Sequence, residues 1–148
     1  NENYADLYQF NEEDVAYQNS GKYVSVKFSN SYTSNFTYDA DKNSYYRSFK
    51  GKTLTDYATG EKEYFDNVYV LYTTVSQIDN KGHMRSYLDS GSGYCISNGT
   101  STLITWEKGS AGRSLKIYDQ NGERLVRNDG NSYVCITSNS YKSSTVIE

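Results

Sequence analysis

The side chains that do proton or metal chemistry are few in this sequence and poorly grouped. His83 is the only histidine, and it lies in Asp79-Asn80-Lys81-Gly82-His83, a polar stretch that reads as a loop. A Ser–His–Asp or Cys–His mechanism would have to run through it, because the base must take the nucleophile's proton near neutral pH. Neither Cys95 nor Cys135 stands in a nucleophile motif, and no Gly-x-Ser-x-Gly elbow occurs. An exposed loop histidine is the simpler reading. One histidine and two distant cysteines have none of the usual zinc spacings, and there is no glycine-rich phosphate loop. Asp39-x-Asp41-x-Asn43 copies the first three ligand positions of a calcium loop. Ser44 stands where the glycine is due and Lys50 where the bidentate glutamate is due, so a turn rich in Asp and Asn accounts for the same residues. Acids are numerous enough for a glycosidase pair, but sequence alone selects no two that face each other. The reading leans away from an enzyme, and no metal and no cofactor is expected.

The elements that would position these residues read as strands. Tyr23–Phe28 alternates, with Val24, Val26 and Phe28 on one face. Asn35–Asp39 and Ser44–Phe49 flank turn formers and predict a hairpin. Asn67–Ile78 is too β-branched and aromatic at its centre to prefer a helix. Gly93–Ser97 and Ser101–Glu107 meet at Asn98-Gly99, the dipeptide best suited to a type I′ turn. Leu115–Tyr118, Glu123–Val126 and Ser132–Thr137 follow at short spacing, with Thr145-Val146-Ile147 as a further edge strand. The expectation is an all-β fold: an antiparallel sandwich or rolled sheet of about nine to ten strands, with a meander-like second half. Residues 1–20 read as an N-terminal arm or linker, or one short helix, and residues 21–148 as a single all-β domain.

Composition agrees with a folded core. Mean hydropathy is low at −0.82, yet aromatics reach 16%, 17 of them tyrosine, and net charge is only −3, unlike a disordered chain. Tyrosine buries a large ring while its hydroxyl finds water or a partner. The tyrosines suit carbohydrate stacking, and equally suit cross-strand pairing with no ligand. Trp106 alternates with Ile104 and Thr102, which favours core packing. Cys95 and Cys135 both fall mid-strand and oppose their aliphatic neighbours. A disulfide and two buried free thiols are both open readings.

Charge narrows the partners. Glu2, Asp6, Glu12, Glu13 and Asp14 are unrelieved by any base, and the rest of the chain is close to neutral. The nearest thing to a basic patch is Lys42, Arg47, Lys50 and Lys52 beside one turn, so no nucleic acid partner is expected. No apolar run approaches the ~18 residues of a membrane span, and no signal peptide is visible.

Several motifs taken in order carry a resemblance. Phe36-Thr37-Tyr38-Asp39 leads into Tyr45-Tyr46-Arg47, then Gly51, Asp56 with Thr59-Gly60, Asn67-Val68-Tyr69-Val70 and Gly91-Ser92-Gly93. Thr105-Trp106-Glu107-Lys108, Asn121-Gly122 and Gly130-Asn131-Ser132-Tyr133-Val134 complete the series. Over roughly residues 20–137 the chain resembles the C-terminal domain of the YerB-like lipoproteins of Gram-positive bacteria, a family of unknown function. It departs from that pattern at Leu54 and Tyr133, where a polar residue or histidine and a tryptophan are expected. The resemblance implies an extracytoplasmic protein, anchored through a lipidated cysteine upstream of residue 1, with a separate N-terminal domain.

Arg47, Asp56, Asn67 and Lys108 match the family pattern without an obvious packing role; with Trp106 they form the candidate ligand-binding set. Arg47 would pair with Asp56 or offer its planar fork to a ligand carboxylate. The expected function is a non-enzymatic cell-envelope binding module. Its partners would be its own N-terminal domain, another envelope protein, or cell-wall glycan, with membrane contact only through the upstream anchor. The alternative is an envelope hydrolase or transferase with its site at the junction with the N-terminal domain.

Overall fold

The computed structural model describes residues 16–49, 52–55, 59–77, 84–87, 90–108, 115–128 and 130–148. His83, Asp56, Lys50 and residues 1–15 lie outside the described residues. The strands in chain order are β1 (Asn19–Ser20), β2 (Tyr23–Ser29), β3 (Tyr32–Asp39), β4 (Ser44–Phe49), β5 (Lys52–Thr53), β6 (Tyr64–Phe65) and β7 (Asn67–Gln77). They continue with β8 (Met84–Tyr87), β9 (Ser90–Ser97), β10 (Thr100–Glu107), β11 (Lys116–Tyr118), β12 (Ser132–Ser138) and β13 (Val146–Ile147). A 3-10 turn, Asn139–Ser144, links the last two.

Two sheets form. One is seven-stranded in the order β1-β10-β9-β7-β12, with β11 also on β10 and β8 also on β7. The other is six-stranded in the order β13-β2-β3-β4-β5, with β6 on β4. The chain therefore builds the expected all-β sandwich, its two sheets mostly antiparallel, with more strands than the nine to ten expected.

The layers meet through the alternation read from the sequence. Val24, Val26, Phe36 and Tyr45 of the smaller sheet pack on Val68, Val70, Tyr72, Ile96 and Cys135 of the larger. A second cluster covers the far face of the larger sheet: Tyr69, Leu71, Cys95, Ile104, Trp106, Ile117 and Leu125, with Tyr17 and Leu115 against it. This is why β7 is buried continuously from Asn67 to Thr73 rather than at every second residue: its sheet is covered on both faces.

Turn chemistry places the hairpins. Asn98 and Gly99 have φ of 54° and 70°, as the type I′ reading requires. In the β3–β4 turn the Asp39 carboxylate accepts the Asp41 N–H at 3.0 Å, and Asn43 takes φ 48°. Tyr45 fastens the layers together. Its hydroxyl donates to the Gly21 carbonyl at 2.7 Å and accepts the Gly99 N–H at 3.0 Å.

Three readings are revised. The second half is not a simple meander: β12 crosses back to lie parallel to β7, Ser132 beside Asn67 and Ser138 beside Thr73. The predicted strand at Glu123–Val126 shrinks to a bridge from Arg124 to Tyr118. Asn19–Ser20, read as part of the arm, is strand β1 on the edge of β10.

Candidate functional site

Arg47 lies two residues from Tyr45 on β4, so alternation turns it toward the inner face. Its Nε and Nη2 donate to the Ser34 hydroxyl at 3.3 and 3.2 Å, and Nη2 also donates to the Tyr32 hydroxyl. The guanidinium lies over the Tyr133 ring, 5.1 Å from its centroid, a cation–π placement. Tyr133 packs in turn against Phe36 and Phe65, each 5.1 Å away, and Tyr32 stacks on Phe49 at 4.7 Å. Arg47 thus closes one side of the sandwich within a ring of aromatics. Of the basic residues grouped in the sequence, Lys42 lies at the β3–β4 turn over Tyr64 rather than beside the Arg47 guanidinium over Tyr133.

Asn67 opens β7 and is 1% exposed. Its amide nitrogen donates to the Asn128 carbonyl at 3.1 Å and the Ser132 hydroxyl at 3.4 Å, while its oxygen accepts from Ser97 Oγ at 2.6 Å. Asn128 Nδ2 donates to Ser97 Oγ at 2.8 Å and joins the set. Next door, the Asp66 carboxylate accepts from the Asn131 N–H and the Ser44 hydroxyl, both at 3.0 Å. This network seats the start of β12 beside β7, a join that a parallel strand arriving from a distant segment needs.

Trp106 is 2% exposed within the second cluster, its indole N–H donating to the Ser92 carbonyl at 3.1 Å. Lys108 is exposed and lies just past the end of β10, so it does not extend the strand face of Trp106. Arg47 and Asn67 approach each other through β12, by Tyr133 and Ser132; Trp106 and Lys108 sit apart from them. Asp56 lies outside the described residues. The candidate set does not converge on one concavity among the described residues.

What the sequence reading missed is the outer face of β12. Val134 and Ile136 are both 43% exposed, while Cys135 between them is buried in the interlayer cluster. They pair with Tyr69 and Leu71 of β7, so they continue the apolar face of the second cluster into solvent. Both faces of Val134-Cys135-Ile136 are apolar, and alternation alone does not say which one is inside. Ser132–Ser138 contains no charged residue and no proline, and no other strand among the described residues pairs with its free edge.

Comparison with known proteins gives a family. The model for the family described as "Protein of unknown function (DUF3048) C-terminal domain" matches residues 24–134. Among solved structures, that of YerB protein from Bacillus subtilis is similar, with a TM-score of 0.76 at 22% sequence identity, over 91% of this chain and 46% of that one. At that identity the likeness shows the fold, and this chain spans about half the length of the YerB chain. Comparison with curated proteins gave no match.

Proposed function

We propose a role for a member of the DUF3048 C-terminal domain family, to which the chain belongs: a non-enzymatic, extracytoplasmic interaction module that docks on the rest of a longer lipoprotein. The observation that carries this is the exposed apolar face of β12 and its edge, which no other strand among the described residues pairs. Strand edges are usually blunted by charge, proline or a covering segment, because an open edge pairs with other chains. The edge at Ser132–Ser138 has neither charge nor proline. Val134 and Ile136 beside it have the uncharged character of an interface core. The occupant favoured is the other domain of the same polypeptide, since this chain covers only 46% of the YerB chain it resembles. Placement outside the cytoplasm and a lipid anchor upstream belong to the same proposal and rest on the family resemblance.

The alternative, a hydrolase or transferase site using Arg47 and Asp56 at that junction, has less behind it. The partners of Arg47 are the neutral hydroxyls of Ser34 and Tyr32 and the Tyr133 ring, which is how a packing residue is held.

The test is calorimetric titration of this chain with the remaining domain of the longer protein, made as a separate polypeptide. The expected result is saturable binding that the double variant V134D/I136D abolishes while its circular dichroism stays native. Absence of binding by the wild-type chain, or undiminished binding by the variant, would overturn the proposal.

A further inference from the structure

A groove runs along β10 on the face of the larger sheet that also carries the interlayer core. Ser101, Leu103 and Thr105 of β10 stand opposite Ile96, Tyr94 and Ser92 of β9, so all six side chains share that face. Among the described residues, two pockets open on this face. One pocket of about 350 Å³ lies between Asn19, Ser20 and Ser101 on one side and Thr145 and Ile147 on the other, with Tyr94 on its floor. A second, of about 330 Å³, is lined by Leu103, Thr105 and Ser92, with Asp119 and Gln120 from the turn after β11. Tyr94 lines the first and its cross-strand partner Leu103 the second, so the pockets adjoin.

The lining is almost free of charge. Asp119 is the one lining residue among the described residues that is charged at neutral pH, and its Oδ1 already accepts the N–H groups of Asn121 and Glu123 at 2.9 and 3.0 Å. The rest is hydroxyl, amide, the Tyr94 ring and the aliphatic side chains of Leu103, Ile104 and Ile147, of which Leu103 is 40% exposed. Several of the hydroxyls are held in place. Ser101 Oγ donates to the Ser20 carbonyl at 2.6 Å, Thr145 Oγ1 accepts the Tyr72 hydroxyl, and Ser92 Oγ accepts Lys142 Nζ at 2.9 Å. Each keeps an oxygen lone pair for a further donor. The floor backbone is consumed by β9–β10 pairing, so an added peptide strand finds no ladder to extend there.

We propose that this groove binds a neutral oligosaccharide across two adjoining subsites, with the Tyr94–Leu103 pair beneath the linkage. A polyol offers donors and acceptors to the fixed hydroxyls and amides, and its C–H faces suit the tyrosine ring and the leucine. An anionic ligand would find only the Lys142 ammonium, already on the Ser92 hydroxyl and over the Tyr72 ring, and a cationic one only Asp119, already holding two N–H groups, so a charged ligand gains little against its desolvation cost. The inference is independent of the docking role, because Val134 and Ile136 lie on the opposite face of the same sheet.

The test is a titration followed by amide NMR, using N-acetylglucosamine and its di-, tri- and tetramer, with cello-oligosaccharides and a trimer of galacturonic acid beside them. Expected are saturable shifts centred on Ser101, Leu103, Thr105 and Gln120, with affinity rising about tenfold or more from monomer to dimer as the second subsite fills. Leu103→Asp and Gln120→Ala, both at exposed positions, weaken dimer binding about tenfold, while V134D/I136D leaves it unchanged. Failure of both neutral series to bind, preference for the galacturonic acid trimer, or shifts elsewhere on the molecule would each overturn it. None of these outcomes bears on docking at β12, which the two-domain titration reads separately.

Discussion

Cys95 and Cys135 face opposite sides of one sheet, with β7 between them: Tyr69 is the partner of Cys95, and Val70 is the partner of Cys135. Cys95 belongs to the second cluster and Cys135 to the interlayer core, and both are free thiols. A disulfide needs Cβ atoms that approach each other, which this arrangement forbids. Of the two readings open from the sequence, the free thiols are the one realised. The native protein should therefore resist a thiol-reactive disulfide reagent and release two equivalents on denaturation. Its melting temperature should be the same with and without reductant. A single equivalent, or a reductant-sensitive melt, would contradict the assignment.

Alkali should weaken the fold through the same burial. Desolvation pushes the Cys95 and Cys135 thiols up from 9.0 to about 12, with Tyr17 opposing at Cys95 and Arg47 at Cys135. Burial likewise raises the Tyr72 phenol from 10.0 to about 12, and those of Tyr45 and Tyr69 rise for the same reason. A raised folded-state value means that the unfolded chain releases the proton first. The stabilisation is complete below about pH 9 and is lost as pH rises toward 12. Urea midpoints should hold level to about pH 9 and fall beyond it. A flat profile to pH 11 would sink the prediction.

Asn67 should behave as scaffold. Asn67→Ala removes the 2.6 Å hydrogen bond that Asn67 accepts from Ser97 Oγ and the 3.1 Å one it donates to the Asn128 carbonyl, among residues that are at most 5% exposed. The expected loss is about 2–3 kcal/mol in urea denaturation. Partner or ligand titrations under folding conditions should be unchanged. A stable variant that no longer binds would return Asn67 to the ligand-binding set.

Gly130 and Gly60 make a controlled pair. Both have positive φ, 117° and 71°. A Cβ at Gly130 would fall 2.2 Å from an Asp66 carboxylate oxygen, whereas one at Gly60 meets nothing within 4 Å. Gly60→Ala should cost about 1 kcal/mol from the backbone alone. Gly130→Ala should cost more, because it also displaces Asp66 from the join that seats β12. Equal losses would mean that the Asp66–Asn131 contact contributes little.

Local features of the fold were legible because local chemistry sets them. Alternation in Tyr23–Phe28 and turn residues at Asn98-Gly99 and Asp39–Asn43 act within a few positions, and the structure follows them. The parallel docking of β12 on β7 was not legible, because it joins segments some sixty residues apart with no turn between them to read. The candidate site suffered for the same reason. Asn67 was singled out by the family resemblance with no packing role in view, and only the three-dimensional pairing shows that it seats β12. Trp106 was rightly read as able to pack in the core. The exposure of Val134 and Ile136 depends on which side of β12 meets the second sheet, which a strand apolar on both faces does not encode.

Arg47 separates packing from recognition most sharply. Its fork holds the Ser34 hydroxyl, a fully buried group, and its plane covers Tyr133. Arg47→Met keeps much of the volume but removes those hydrogen bonds and the cation–π contact. If packing is its task, urea denaturation should show a loss of about 1–3 kcal/mol. Arg47→Lys should recover less than half of that, because an ammonium has neither the planar fork nor the stacking surface. Binding of the companion domain and of oligosaccharide should survive in both variants at temperatures where they are folded. The opposite pattern, native stability with binding lost and a carboxylate-bearing ligand discriminated against, would make Arg47 a recognition residue and move the site from the outer face of β12 to its inner side.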